Sequence, residues 1–153
     1  EDASVRYRYC TMSDSNDITV REANAADYAA VRALIEPFVQ QQKVLPRTLE
    51  ELHGLWPNSF VAEAQGCVVG FVVLDVYSEK LAEIRSLVVA EGHQDQGIGK
   101  LLVNACIELA RERDVLEVMA ISSSETFFQA CGFDYTLPGE KKALFVQIHP
   151  WRH

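Results

Sequence analysis

Positive charge is scarce in this chain: 14 lysines and arginines stand against 22 aspartates and glutamates, a formal net charge of −8. A surface of that sign repels a phosphate backbone, and no basic run offsets it, so no nucleic-acid partner is expected. Cysteine is also sparse: Cys10, Cys67, Cys106 and Cys131 are far apart and form no CxxC pair. That spacing predicts neither a zinc site nor a disulfide framework, so no metal is expected, and a reduced, cytoplasmic setting fits best. Cys67 and Cys106 sit among apolar neighbours and read as small buried hydrophobes. No apolar run is long enough to span a bilayer, so no membrane partner is expected. No signal-peptide pattern opens the chain, although its first residue is Glu1 rather than Met, which leaves a processed start open. Internal repeats and an evident linker are lacking as well.

What is present is the material of one ordinary domain: 153 residues, 48% hydrophobic and 24% charged. Residues 1–16 are polar and irregular and read as a flexible arm before a domain over 17–153. Ile18 to Glu22 reads as a strand. Asn24 suits the N-cap of a helix from Ala25 to about Gln41, whose Tyr28, Val31, Leu34, Ile35 and Phe38 recur at three and four. Pro37 inside that stripe should kink or shorten it. Thr48 suits the cap of a short second helix that Pro57 and Asn58 close. Phe60–Ala64 and Cys67–Leu74 form a hairpin around Gln65-Gly66, and Leu81–Val89 follows as an antiparallel strand. A long helix over Gly97–Arg113 keeps one face apolar, and Val115–Ala120 returns as a strand by a crossover. Ser122 with Glu125 has capping-box spacing for a last helix ending at Gly132. Phe133–Tyr135 and Lys142–Ile148 complete the strands. The fold class is α/β (α+β): a single mixed, mostly antiparallel sheet flanked by helices.

The segment Gln94-Asp95-Gln96-Gly97-Ile98-Gly99 carries the chemistry. A buried strand runs out into a polar turn, and two glycines stand where an amphipathic helix begins. The first amides of a helix have no internal partners and carry partial positive charge, so they suit an anion. Gly97 and Gly99 lack the Cβ atoms that would hold a phosphate away. Lys100 adds a cation that opposes its own helix dipole. A GxG at a helix start also serves turn geometry alone, and neither GxGxxG nor GxxxxGK[ST] is present.

Gln94-x-x-Gly97-x-Gly99 resembles the [RQ]xxGx[GA] signature of the GNAT acetyltransferase superfamily, and Phe127-Phe128-Gln129-Ala130-Cys131-Gly132-Phe133 resembles its FYEKxGF helix end. The resemblance runs from about Ile18 to Ile148. It implies the GNAT acyl-CoA N-acyltransferase fold, with acetyl-CoA as cosubstrate in a cleft between the fourth strand and the strand after the long helix. It further implies that Leu87 and Val89 pair with the pantetheine arm, and that the amides of Gln94, Gln96, Gly97, Ile98, Gly99 and Lys100 hold the pyrophosphate. A backbone N–H near Val88 or Val89 would stabilise the oxyanion as an acceptor amine attacks directly. The amine must first lose a proton, and Glu83 is the candidate base. Glu83 and Arg85 share a face of their strand, where a solvated ion pair is the plainer explanation. Many members use a Tyr to protonate the thiolate. Phe128 stands at that position here, lining the cofactor but donating nothing, and Ser124 is the candidate replacement.

Within the superfamily the N-acetylglutamate synthase type is the more similar, on Ile35-Glu36-Pro37, Leu45-Pro46-Arg47-Thr48-Leu49-Glu50-Glu51-Leu52, Glu83-Ile84-Arg85-Ser86-Leu87 and Phe128. That likeness implies a small amine acceptor, an amino acid such as glutamate, whose carboxylate would need a guanidinium fork; Arg47 and Arg85 are the candidates. Glu140-Lys141-Lys142 departs from that type's pattern near the last strand. The rival expectations are acetylation of a protein or peptide amine, and a catalytically silent acyl-CoA-binding module. A homodimer is possible, since such enzymes commonly pair.

Overall fold

The computed structural model describes residues 17–135, 144–146 and 148, which fall into two compact units that divide after Ser122. The first unit contains β1 (Ile18–Glu22), α1 (Tyr28–Gln40), α2 (Leu49–Leu55), β2 (Ser59–Ala64), β3 (Cys67–Val76), β4 (Leu81–Val89), α3 (Ile98–Glu112) and β5 (Glu117–Ala120). The second contains α4 (Glu125–Ala130). The strands form one open sheet in sequence order. β1 to β4 pair antiparallel and β5 joins β4 in parallel.

Each face of the sheet has its own cover. On one, Val31, Ile35 and Phe38 of α1 and Leu52 of α2 join Trp56, Val61, Phe71, Val73 and Val88 in a buried core. This is the stripe of threes and fours expected from the sequence. On the other, α3 packs Ile98 and Leu102 against β3 at Gly70. A Cβ there would lie 2.9 Å from Leu102 Cδ1 and 3.2 Å from both Ile98 Cγ2 and Ala62 Cβ. Gly70→Val therefore overpacks the contact that seats α3, and a stability loss of about 1–3 kcal/mol is expected in chemical denaturation.

Arg21 ties β1 to the start of α1 and to β2. Its guanidinium donates to Asp27 at 2.9 and 2.7 Å and to Glu63 at 3.1 and 2.7 Å. Asp27 also accepts from the Asn24 amide, closing a capping box. The Arg21 fork, acting against the cost of burial, holds the Asp27 carboxyl below its ordinary value of 3.8. A group depressed in this way stabilises the fold above its unfolded pKa, and that contribution is lost as pH falls through the folded one. Thermal melts should show the protein weakening below about pH 4, and Asp27→Asn starting lower at neutral pH with a flatter acid limb.

Several expectations need correction. The helix expected from Ala25 begins as a 3-10 turn, Ala25–Asp27, and becomes α-helical only at Tyr28. It runs three residues past Pro37, whose missing N–H costs one internal bond. β5 starts at Glu117 rather than Val115, whose amide instead closes the end of α3 on Ala110. Ser124, not Ser122, is the N-cap residue of α4, because the helix starts only at Glu125. Phe133–Tyr135 is not a strand: Phe133 folds back on Phe128, ring centroids 5.3 Å apart, after the left-handed Gly132. Of the expected strand over 142–148, residues 144–146 and 148 are exposed and outside any strand, and the remainder lies outside the described residues. Cys67 is disulfide-bonded, against the expectation of reduced thiols, because a pattern without close cysteine pairs gives no sign of a bridge. Cys106 is fully buried as expected, and burial pushes its thiol up to about 12. No helix of the described residues is long and apolar enough to cross a membrane, and they contain no metal-ligand cluster.

Candidate active site

The site begins with a fault in β4. Val73 pairs with Arg85 and Phe71 with Val88, so β4 carries one residue more than β3 over that stretch. The extra residue sits at Ser86, whose φ of +54° is left-handed. Such a bulge sharpens local twist and bends its strand. Beyond it β4 loses its other neighbour: β5 pairs only from Leu81↔Glu117 to Ile84↔Ala120. Residues 85–89 therefore present an edge without a β5 partner.

Which groups line that edge follows from alternation. The Ala90 amide donates to Val69 O at 2.8 Å, so Ala90 and Val88 turn their main chain toward β3. Leu87 and Val89 turn theirs outward. Val88 meanwhile buries its side chain in the α1/α2 core. The outward Val89 carbonyl accepts from the Gln94 side chain at 3.1 Å, which draws the turn over the strand end.

The edge leads to the start of α3. Gly97 is the N-cap residue, left-handed at φ 79°, and no side chain caps the helix. A Cβ on Gly97 would meet nothing within 4 Å, so the glycine answers a conformational need and leaves open space over the first amides. Lys100 is exposed in the first turn and Ile98 anchors the turn in the core. Gln94, Gln96 and Gly97 are all exposed. An open strand edge ending at bare helix amides suits a long ligand with amide groups along its arm and a phosphate further on, which is the form of acetyl-CoA.

On the α1/α2 face, the half of β4 before the bulge holds a charged cluster. Glu83 lies opposite Asp75, and Arg85 opposite Val73. Arg85 donates to Asp75 Oδ2 at 3.3 Å and stands 3.7 Å from Glu83 Oε1. Tyr77 donates to Glu83 Oε2 at 3.1 Å. Arg47, in the segment before α2, donates through Nε to Ser86 Oγ at 3.3 Å. Burial, and then the charge of Arg85, lower its pKa from the ordinary arginine value. A cleft of about 320 Å³ opens between α1 and α2, lined by Tyr28, Arg32, Glu36, Arg47, Thr48 and Leu52 among others.

The first unit thus brings together Glu83, Arg85 and Arg47 from the expected residues. Tyr77, Asp75 and Ser86 are additions. Tyr77 falls past the expected end of its strand, and the only sequence signal for the bulge is one small polar residue inside an apolar run. Ser124 and Phe128 lie in the second unit, where Phe128 stacks edge-on against Phe127 and Phe133.

A sheet parted beside a parallel neighbour, with uncapped helix amides at the mouth, is the architecture of an acyl-CoA-dependent transferase. The chain belongs to the Acetyltransferase (GNAT) family, which residues 25–133 match. It is an acetyl-CoA-dependent N-acetyltransferase. It is 35% identical over 117 residues to an uncharacterized N-acetyltransferase of Chlorobaculum tepidum, covering 76% of each chain. To an amino-acid acetyltransferase of Mycobacterium tuberculosis it is 29% identical over 117 residues, 74% of this chain and 67% of that one. Among solved structures, N-acetylglutamate synthase from Neisseria gonorrhoeae, complexed with coenzyme A and N-acetyl-glutamate, superposes with a TM-score of 0.69 at 26% identity. That match covers 77% of this chain but only 28% of the synthase, so the chain corresponds to a little over a quarter of that protein.

Proposed function

We propose that this protein acetylates the amine of a small acidic acceptor, an amino acid of the glutamate type, with Glu83 as the base. The observation that carries the acceptor class is Arg47. It is half-buried and bonded to a neutral hydroxyl, and it pairs with no carboxylate among the described residues. A buried guanidinium is costly unless an anion meets it, and its planar fork suits a carboxylate. Arg85 differs, since Asp75 and Glu83 already balance its charge, so Arg47 is the primary anchor and Arg85 orients the base. The amino-acid acetyltransferase and N-acetylglutamate synthase among its relatives support the same class.

In the proposed reaction, acetyl-CoA supplies the thioester when bound. The outward groups of Leu87 and Val89 align its arm, and the amides from Gln94 to Lys100 around Gly97 and Gly99 neutralise its pyrophosphate. The Val89 N–H is the outward amide available for the oxyanion. Glu83 takes the proton from the acceptor amine. Phe128 has no proton to give, so the thiolate leaves as such and is protonated from solvent. The test is a panel of free amino acids and short peptides with acetyl-CoA, following thiol release. Turnover is expected with glutamate or a close relative; turnover with peptides alone would move the reading to protein amines, and CoA binding without turnover to a silent module.

A further inference from the structure

We infer that Tyr77 is a positioning residue for this reaction, its phenol holding the Glu83 carboxylate in a fixed orientation. The inference rests on the reading of Glu83 as the base. Tyr77 follows the last residue of β3, and its amide donates to Leu81 O at 3.0 Å, closing the β3–β4 hairpin. Asp75 is the residue directly opposite Glu83. Two residues on, Tyr77 is therefore its diagonal neighbour on the same face, a separation that an aromatic side chain spans. The Oη of Tyr77 reaches Glu83 Oε2 at 3.1 Å, while Arg85 Nε is 3.7 Å from Oε1. Each oxygen of the carboxylate thus has a fixed neighbour, and the closer is the phenol.

The surrounding charges favour that division. Asp75 on β3 draws Arg85 to 3.3 Å, away from full engagement with Glu83. Arg47 faces the same cluster from before α2, and Met119 of β5, paired with Glu83, is uncharged. The Glu83 side chain is 13% exposed, whereas Tyr77 is 50% exposed. The phenol therefore lies on the open side of the carboxylate and fixes the orientation of one of its oxygens. Burial, and then the bond to Glu83, raise the Tyr77 phenol above its ordinary pKa of 10.0, so it remains a donor across the working range.

Tyr77→Phe keeps the ring and removes only the hydroxyl. With the best acceptor of the panel, its kcat/KM should fall about tenfold while the acetyl-CoA KM stays put. In a Glu83→Gln background, Tyr77→Phe should have no further effect, since the base it serves is gone. An unchanged rate in the single variant would overturn the inference. So would an equal loss in both backgrounds, which would place Tyr77 on the substrate itself. Full activity in Glu83→Gln alone would instead remove Glu83 as the base, a failure separable from that of Tyr77.

Discussion

Glu83→Gln should lower kcat/KM for the acceptor by about two to three orders of magnitude. The substitution keeps the shape of the side chain and its place opposite Asp75, so the affinity for acetyl-CoA should hold. On the proposed reading, what disappears is the acceptor for a proton that the amine must shed before its lone pair can attack. The variant should therefore regain rate as pH rises and the free amine forms without help. Isothermal titration with CoA and pH-dependent initial rates read the two parts separately. A variant as fast as the parent at neutral pH would assign the proton to water or to another group.

Arg47→Ala should raise the acceptor KM about a hundredfold and leave kcat and the acetyl-CoA KM nearly unchanged, the signature of lost uniform binding. The magnitude follows from the setting. The guanidinium is half-buried and forms no salt bridge among the described residues, with Glu51 and Asp75 acting on it only from a distance, so the acceptor carboxylate would supply the direct partner it lacks. Arg47→Lys should recover only part of the loss, because an ammonium is a point charge without a fork. The variant should also narrow the gap between acidic and neutral amino acids in the panel. Unaltered discrimination would place the acceptor carboxylate elsewhere.

Much of this architecture was legible in the sequence because two periodicities differ so clearly. Val31, Ile35 and Phe38 fall on one helical stripe, and the Gln65-Gly66 link fixes the β2–β3 register, with Ala64 opposite Cys67. The glycines around the start of α3 were legible for a similar reason: a backbone need, φ +79° at Gly97, can be met without strain by few other residues. The charged cluster was only half legible. Glu83 and Arg85 stand out as charges inside a strand-like run, but Tyr77 and Asp75 reach them across a pairing that sequence alone does not register. Ser86 was the least visible, because a bulge depends on how two strands count against each other and not on the identity of one residue. The last third misled for another reason. Phe133 and Tyr135 have strand propensity, yet the rings of Phe127, Phe128 and Phe133 gather on one another and local packing overrides it.

The left-handed residue in the middle of β4 divides one strand into two with opposite phase. Ahead of it, odd positions such as Glu83 and Arg85 look toward α1 and α2; behind it, that face passes to Val88, while Leu87 and Val89 turn their peptide groups outward. On the proposed reading, acceptor chemistry and carrier docking would thus occupy consecutive stretches of one chain without sharing a residue. On the same reading, new amines can be accommodated by changing the acceptor anchor at Arg47 while the base and the docking rail stay as they are. Removing one residue at 86 would instead bring the halves back into phase and fuse two independently adjustable parts into one.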